Sequence, residues 1–367
     1  MPLRTRVKAE GRLFYGCAHG DIDLVRSQLD AGLDVNTWWG DLGDVNRSGI
    51  YFDSVYDAVP SDATTRSRDW GEFRPFLDHT PLHTAVAHPA VRHTEFPHFR
   101  DNHAGDLAVI RLLLERGADP NTKAIRDGET PLHILCDNRV YPPGRVQRCL
   151  SVVRLLLDFG ADVNQRDHSD KTILFRMAEL RNPMCEVASL LLERGADMHI
   201  RGRYTDATAL FQAIQAEDDS RVVRNRLAFA RVLLERGASA ELGLVDRHGK
   251  IVETPLHYAC WNSCISAARL LLAHGASFDE YNGPGLLWSP LSLVRDFDKG
   301  SLWRPPRVVR ELNALFDAYL KHYWRLRVKL RVFGSLSEHL LDLHVAPFLI
   351  GDGVLKKRSS GSVVDCI

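Results

Sequence analysis

Leucine and valine recur along this chain in a fixed phrase. Leu112 to Ala118 (LLLERGA), Leu155 to Ala161 (LLLDFGA), Leu190 to Ala196 (LLLERGA), Val232 to Ala238 (VLLERGA) and Leu270 to Ala276 (LLLAHGA) each close an apolar run with Gly-Ala. The runs are apolar on more than one helical stripe, as in Val152, Val153, Leu155, Leu156 and Leu157. A stripe that wide predicts a helix covered by neighbours on two sides. The glycines fall where a helix must end in left-handed geometry, which glycine adopts without a Cβ penalty. A second, shorter apolar segment precedes each run. It opens as Thr80-Pro-Leu-His83, Thr130-Pro-Leu-His133 and Thr254-Pro-Leu-His257, with weaker copies at Thr172 (TILF), Thr208 (TALF) and Ser289 (SPLS). Threonine before the first turn can cap a helix, and proline inside that turn sacrifices no intrahelical hydrogen bond.

A helix pair repeated at fixed order cannot bury both faces alone, so its stability must come from stacking. The order Thr-Pro-Leu-His, helix, apolar helix, Gly-Ala-Asp and polar turn strongly resembles the ankyrin repeat. The resemblance runs over about residues 11 to 320. It implies an all-α solenoid of about six to seven units, each a helix–turn–helix with a β-hairpin finger, and non-catalytic binding of partner proteins along the concave surface. It also implies a structural role for His83, His133 and His257, which recur at one position. A catalytic role would need one special histidine rather than three equivalent ones.

The boundaries come from the spacing. Residues 1–36 read as an N-terminal capping unit, 80–288 as the core repeats and 289–320 as a C-terminal capping unit. Residues 321–355 read as a helical, basic extension and 356–367 as a tail. The glycine-to-glycine distances of 43, 35, 42 and 38 residues exceed the family's unit of about 33. Most of the excess falls between the two helices of a unit, in 88–105 and 138–145. The largest insertion, residues 37–79, replaces the first finger and carries Trp38, Trp39, Tyr51, Phe52, Tyr56, Trp70, Phe73 and Phe76. It is read as a local cap for most of these aromatics. For Trp38 and Trp39 a partner-binding platform is a real alternative, since such side chains dominate interface energetics. The other candidate partner-binding residues are the polar finger tips Arg126, Asp127, His168, Asp170, Tyr204, Arg247 and His248.

Charge and cysteine content narrow the classes. Lys plus Arg and Asp plus Glu are both 47, so no global field draws the chain to nucleic acid or anionic membrane. Seven cysteines, an odd number inside apolar helical patterns, fit reduced thiols in the cytoplasm or nucleus. No secretory h-region and no membrane span is expected. The expected form is a monomer without cofactor or metal. His257, Cys260 and Cys264 lie at i, i+3 and i+7, but no fourth ligand comes after them with zinc-type spacing, and they read as core. No phosphate loop, dinucleotide fingerprint or nucleophile elbow is present. Segment 319–333 is basic and amphipathic. Its Leu320, Trp324 and Val328 resemble the elongin-binding helix of SOCS boxes, although the cysteine of that helix is replaced by Trp324 and no Pro-rich cullin motif comes after it. The second reading is therefore a substrate-recognition adaptor of a ubiquitin ligase acting through the C-terminal extension.

Overall fold

The computed structural model describes residues 3–38, 79–87, 103–135, 146–203, 206–215, 220–245, 251–278, 289–296 and 306–332. These divide between two units, Met1–Tyr204 and Thr205–Ile367.

In the first unit four helix pairs succeed one another. They are α1 (Leu3–His19) with α2 (Ile22–Asp30), α3 (Pro81–Ala87) with α4 (His103–Glu115), α5 (Pro131–Ile134) with α6 (Val146–Asp158), and α7 (Ile173–Glu179) with α8 (Cys185–Glu193). First helices stack on first helices, α1 on α3 on α5 on α7, and second on second, α2 on α4 on α6 on α8. The core lies between these two layers. Leu82, Val86, Leu113, Leu132, Leu156, Phe175 and Leu191 are all fully or almost fully buried there.

The second unit repeats the plan with α9 (Ala209–Ile214) and α10 (Ser220–Glu235), α11 (Pro255–Trp261) and α12 (Ile265–Ala273), and α13 (Pro290–Asp296) and α14 (Pro306–Val332). An antiparallel pair, β1 (Leu244–Val245) and β2 (Ile251–Glu253), joins α10 to α11, with Leu244 opposite Glu253. In α14, Val309, Leu312, Phe316 and Tyr319 are buried on one face, while Arg307, Arg310, Glu311 and Asp317 are exposed. Phe278 meets Phe316 and Tyr319 edge-on at 6.4 and 5.3 Å. The helix runs without interruption through residue 320 to Val332.

The sequence-based helix signals act as expected. Thr172, Thr208 and Thr254 accept the backbone N–H three residues on, at 3.4, 3.3 and 3.4 Å. Gly117, Gly160, Gly195, Gly237 and Gly275 all have φ between 83° and 99°. In the first unit the β-hairpin fingers are reduced to tight turns, with no strand pair among the described residues. Ala124 donates to the Glu129 carbonyl at 2.7 Å and Asp167 to that of Lys171 at 3.0 Å. The Asp167 carboxylate takes the N–H groups of Ser169 and Lys171 that a longer ladder would use. No helix among the described residues is long and apolar enough to cross a membrane. Most of the aromatic insertion (39–78) and the loops 88–102 and 136–145 lie outside the described residues, as do residues beyond 332.

Candidate protein-binding site on the fingers of the first unit

Each finger is fixed from below by one asparagine. The amide of Asn36 donates to the Gly117 carbonyl at 3.1 Å, and its oxygen accepts the Asp119 N–H at 2.9 Å. Asn121 makes the same clasp to Gly160 and Asp162 (2.9 and 2.7 Å), and Asn164 to Gly195 and Asp197 (3.1 and 2.7 Å). Only a side chain with both a donor and an acceptor can do this. In the second unit Glu241 stands at the equivalent position and accepts the Ser277 N–H at 2.6 Å. A carboxylate has no donor to offer a carbonyl.

From above, histidines tie the helix starts together. The Nδ1 of His83 accepts from the Thr80 hydroxyl at 2.7 Å and Nε2 donates to the Glu129 carbonyl at 3.0 Å. His133 repeats this with Thr130 at 2.8 Å and the Lys171 carbonyl at 3.1 Å. A carbonyl can only accept, so Nε2 carries the proton and the ring is neutral. Burial lowers the pKa of both rings, that of His83 well below the ordinary 6.5, with His79 stacked on it at 5.2 Å as a further unfavourable charge. His257 binds Thr254 in the same way at 2.7 Å. These histidines are structural, as their recurrence implied.

The tips are then locked to each other. His168 donates its N–H to the Asp127 carbonyl at 2.9 Å, and Arg203 donates to the Ser169 carbonyl at 3.4 Å. Gly128 (φ 72°) lies under the His168 ring, where a Cβ would come within 2.7 Å of the His168 backbone nitrogen. At the base of the turns Arg176 pairs with Glu129 and, at 3.6 Å, with Asp167. Burial lowers the Arg176 pKa, which Glu179 and Asp127 oppose. Lys171 pairs with Glu179 at 2.6 Å and lies 5.6 Å over the Phe175 ring.

Among the sequence-predicted site residues, Arg126, Asp127, His168 and Asp170 come together on this edge. The first three are exposed, and Asp170, with φ 56°, faces Arg203 at 3.7 Å. Trp38 is half-buried, two residues past the Asn36 clasp. Trp39, Tyr204, Arg247 and His248 lie outside the described residues. Sequence reasoning passed over Ile125, whose 59% exposure is the largest of any described large apolar residue. It also passed over the basic residues Lys123, Arg166 and Arg201. Their signal was present, because Lys123 and Arg166 stand two positions after the clasp residues Asn121 and Asn164, and Arg201 stands at the same register, two after His199. Cys17, Cys149 and Cys260 are buried free thiols, and burial pushes Cys149 up to about 12. Cys260 is fully buried in α11 as expected of a core residue, whereas Cys264 lies beyond the end of that helix, at the start of α12, and is only half-buried. Among the described residues no group of three or more His, Cys, Asp or Glu is placed to hold a metal.

Comparison with known proteins agrees with this architecture. The ankyrin-repeat family model matches residues 101–202 and 177–282, in three copies. Ankyrin repeat and SOCS box protein 16 of Mus musculus is 40% identical over 176 residues, which is 48% of this chain and 35% of the relative. Its Homo sapiens counterpart is 38% identical over 176 residues, with the same coverage. The match thus spans about a third of the length of these curated relatives. The crystal structure of the ankyrin repeat domain of Bcl-3, described as a unique member of the IkappaB protein family, superposes with a TM-score of 0.51. It is 21% identical and covers 82% of this chain and 97% of that one. With the threonine-capped helix pairs, left-handed glycines and clasped fingers already described, these matches make the chain a member of the ankyrin-repeat family.

Proposed function

We propose that this chain is a non-catalytic recognition module that binds partner proteins through its fingers and first helices. The observation that carries the reading is the mutual locking of three successive fingers, by Asn121, Asn164, His168 and Arg203, beneath exposed side chains. Preorganised contact residues lose little entropy on binding. Buried reduced thiols fit a cytoplasmic or nuclear site of action, and the module works as a monomer. The test is affinity purification with mass spectrometry, comparing the full chain with an Arg126→Ala/Asp127→Ala/His168→Ala variant. Loss of captured proteins at unchanged folding is expected, and an identical partner list overturns the reading.

A second reading is a ubiquitin-ligase adaptor that recruits the ligase through the C-terminal extension. It is favoured by the SOCS box in the names of the two relatives and by the spacing of Leu320, Trp324 and Val328. Tyr319 is buried against Phe278, so the variant should leave the start of α14 intact. Trp324→Ala combined with truncation after Val332 is expected to abolish capture of a cullin-type complex. Failure of the unaltered chain to capture one removes this reading.

A further inference from the structure

We infer that the second helices of the second unit adsorb the chain to the surface of a bilayer containing anionic lipid. The inference is separate from the recognition reading above, because it uses the second helices rather than the fingers.

The two units differ in the charge of their second helices. In α2, α4, α6 and α8 four Lys and Arg stand against seven carboxylates. In α10, α12 and α14 twelve stand against three, Glu235, Glu311 and Asp317. The first helices of the second unit add only Arg295 and Asp296. The chain as a whole is neutral, so the excess belongs to one layer of one unit. The acidic run Glu217 to Asp219 comes before α10, twelve or more residues from Arg231.

Helix α10 packs on α12 and α12 on α14, so the three form one layer. Arg221, Arg224, Arg231, Arg269, Arg310 and Lys321 are exposed on it. Arg231 and Arg269 share one register, six residues before Gly237 and Gly275. Among the described residues Arg224, Arg231 and Arg269 have no carboxylate partner. Arg226 donates to the Gln215 carbonyl at 3.1 Å and Arg307 pairs with Glu311 at 2.8 Å, so these two are committed elsewhere. Past Lys321, α14 carries four more cations and no carboxylate.

The breadth of this layer selects its partner. Packed helices lie about 8–10 Å apart and rise about 1.5 Å per residue. Three of them make a face about 20 Å wide and, along α10, about 24 Å long. One helix of a partner protein is about 10 Å across and covers half of it, whereas a plane meets all three helices at once. Between the cations stand the small exposed residues Ala228, Ser266, Ala314 and Ala318. Among the described residues of these helices no large apolar side chain is exposed. The face therefore has no wedge to insert between lipids and no ring on which a single-stranded nucleic acid could stack. Its attraction to a bilayer is electrostatic, about fivefold in affinity per basic residue near the surface.

The test is sedimentation of the full chain with vesicles of phosphatidylcholine, alone or mixed with phosphatidylserine. Co-sedimentation with the anionic vesicles only is expected at about 50 mM salt, with loss as salt rises. Arg224→Gln/Arg231→Gln/Arg269→Gln is expected to weaken it about a hundredfold, with the melting temperature unchanged. Arg224→Lys/Arg231→Lys/Arg269→Lys keeps the charge and is expected to retain binding. In the first unit Arg26, Arg111 and Arg154 hold the register of Arg231, among more carboxylates. Arg26→Gln/Arg111→Gln/Arg154→Gln is therefore expected to leave adsorption nearly unchanged. Equal binding to neutral vesicles, no binding at low salt, loss in the lysine variant, or equal loss in the two glutamine variants overturns the inference. Duplex DNA and polyglutamate serve as competitors at equal charge, and preferential transfer of the chain to either also overturns it. Capture of partner proteins is scored separately, so this inference can fail while protein recognition stands.

Discussion

The first helices that open on threonine come in two kinds. Those that open at Thr80, Thr130 and Thr254 carry histidine three residues on, and those that open at Thr172 and Thr208 carry phenylalanine. The threonine itself does not register the difference. Its φ and ψ are −87° and 165° at Thr130 and −88° and 163° at Thr254, against −83° and 169° at Thr172 and −87° and 166° at Thr208. Helix entry is therefore set by the threonine cap, whichever ring stands in the first turn. The histidine adds a bridge to the next repeat, as His83 does to Glu129 and His133 to Lys171. The phenylalanine has no donor for such a bridge and fills volume instead, Phe175 and Phe211 being among the largest fully buried side chains. One architecture thus tolerates two solutions at one position, a polar bridge or an apolar plug.

Breaking the plug is expected to cost most. Phe175→Ala or Phe211→Ala removes a fully buried ring, worth about 3–5 kcal/mol, measured as the shift in chemical denaturation midpoint. Exchanging bridge for plug is expected to cost less. His133→Phe strands the buried Thr130 hydroxyl and the Lys171 carbonyl, worth about 1–3 kcal/mol in the same assay.

The two kinds also differ in acid. His83 and His133 have pKa values lowered by burial, so below about pH 6.5 the unfolded chain takes up protons that the folded chain refuses. Stability is therefore fully present above that pH and falls as the medium becomes more acidic, toward the depressed folded values. His83→Phe is expected to flatten this slope by up to about 1.4 kcal/mol per pH unit, read from denaturation series between neutral and acid pH. Phe175→Leu should leave the slope unchanged.

The finger clasps give the smallest effects. Asn121→Ala, which frees the Gly160 carbonyl and the Asp162 N–H, is expected to destabilise by about 1 kcal/mol. Glu241→Gln supplies the donor that the carboxylate lacks and is expected to stabilise by a few tenths of a kcal/mol, near the lower end of what one hydrogen bond contributes. A destabilisation by Glu241→Gln would show that the negative charge, rather than the missing donor, matters at that clasp.

The helix pairs were legible because their signals are local. A threonine, a proline in the first turn and a left-handed glycine each act within a few residues of themselves. Half of the finger edge could be read in the same way, as exposed polar tips at Arg126, Asp127, His168 and Asp170. The bonds that join those tips could not. Asn36 meets Gly117 across 81 residues, His168 meets Arg126 across 42, and Arg176 reaches back to Glu129. Such pairings depend on which finger lies beside which, and the unequal insertions in this chain hide the spacing that would reveal it. The exposure of Ile125 is likewise a property of the folded turn, since alanine one residue earlier is buried.

One absent methyl group governs how closely two neighbouring fingers can approach. Gly128 leaves its space to the His168 ring and backbone, and any larger residue there would wedge the turns apart. The side chains on either side would then move apart, although none of them had been altered. Position 128 therefore works as a spacer that sets how closely the two turns sit, and a substitution there is expected to separate the tips without removing any exposed side chain.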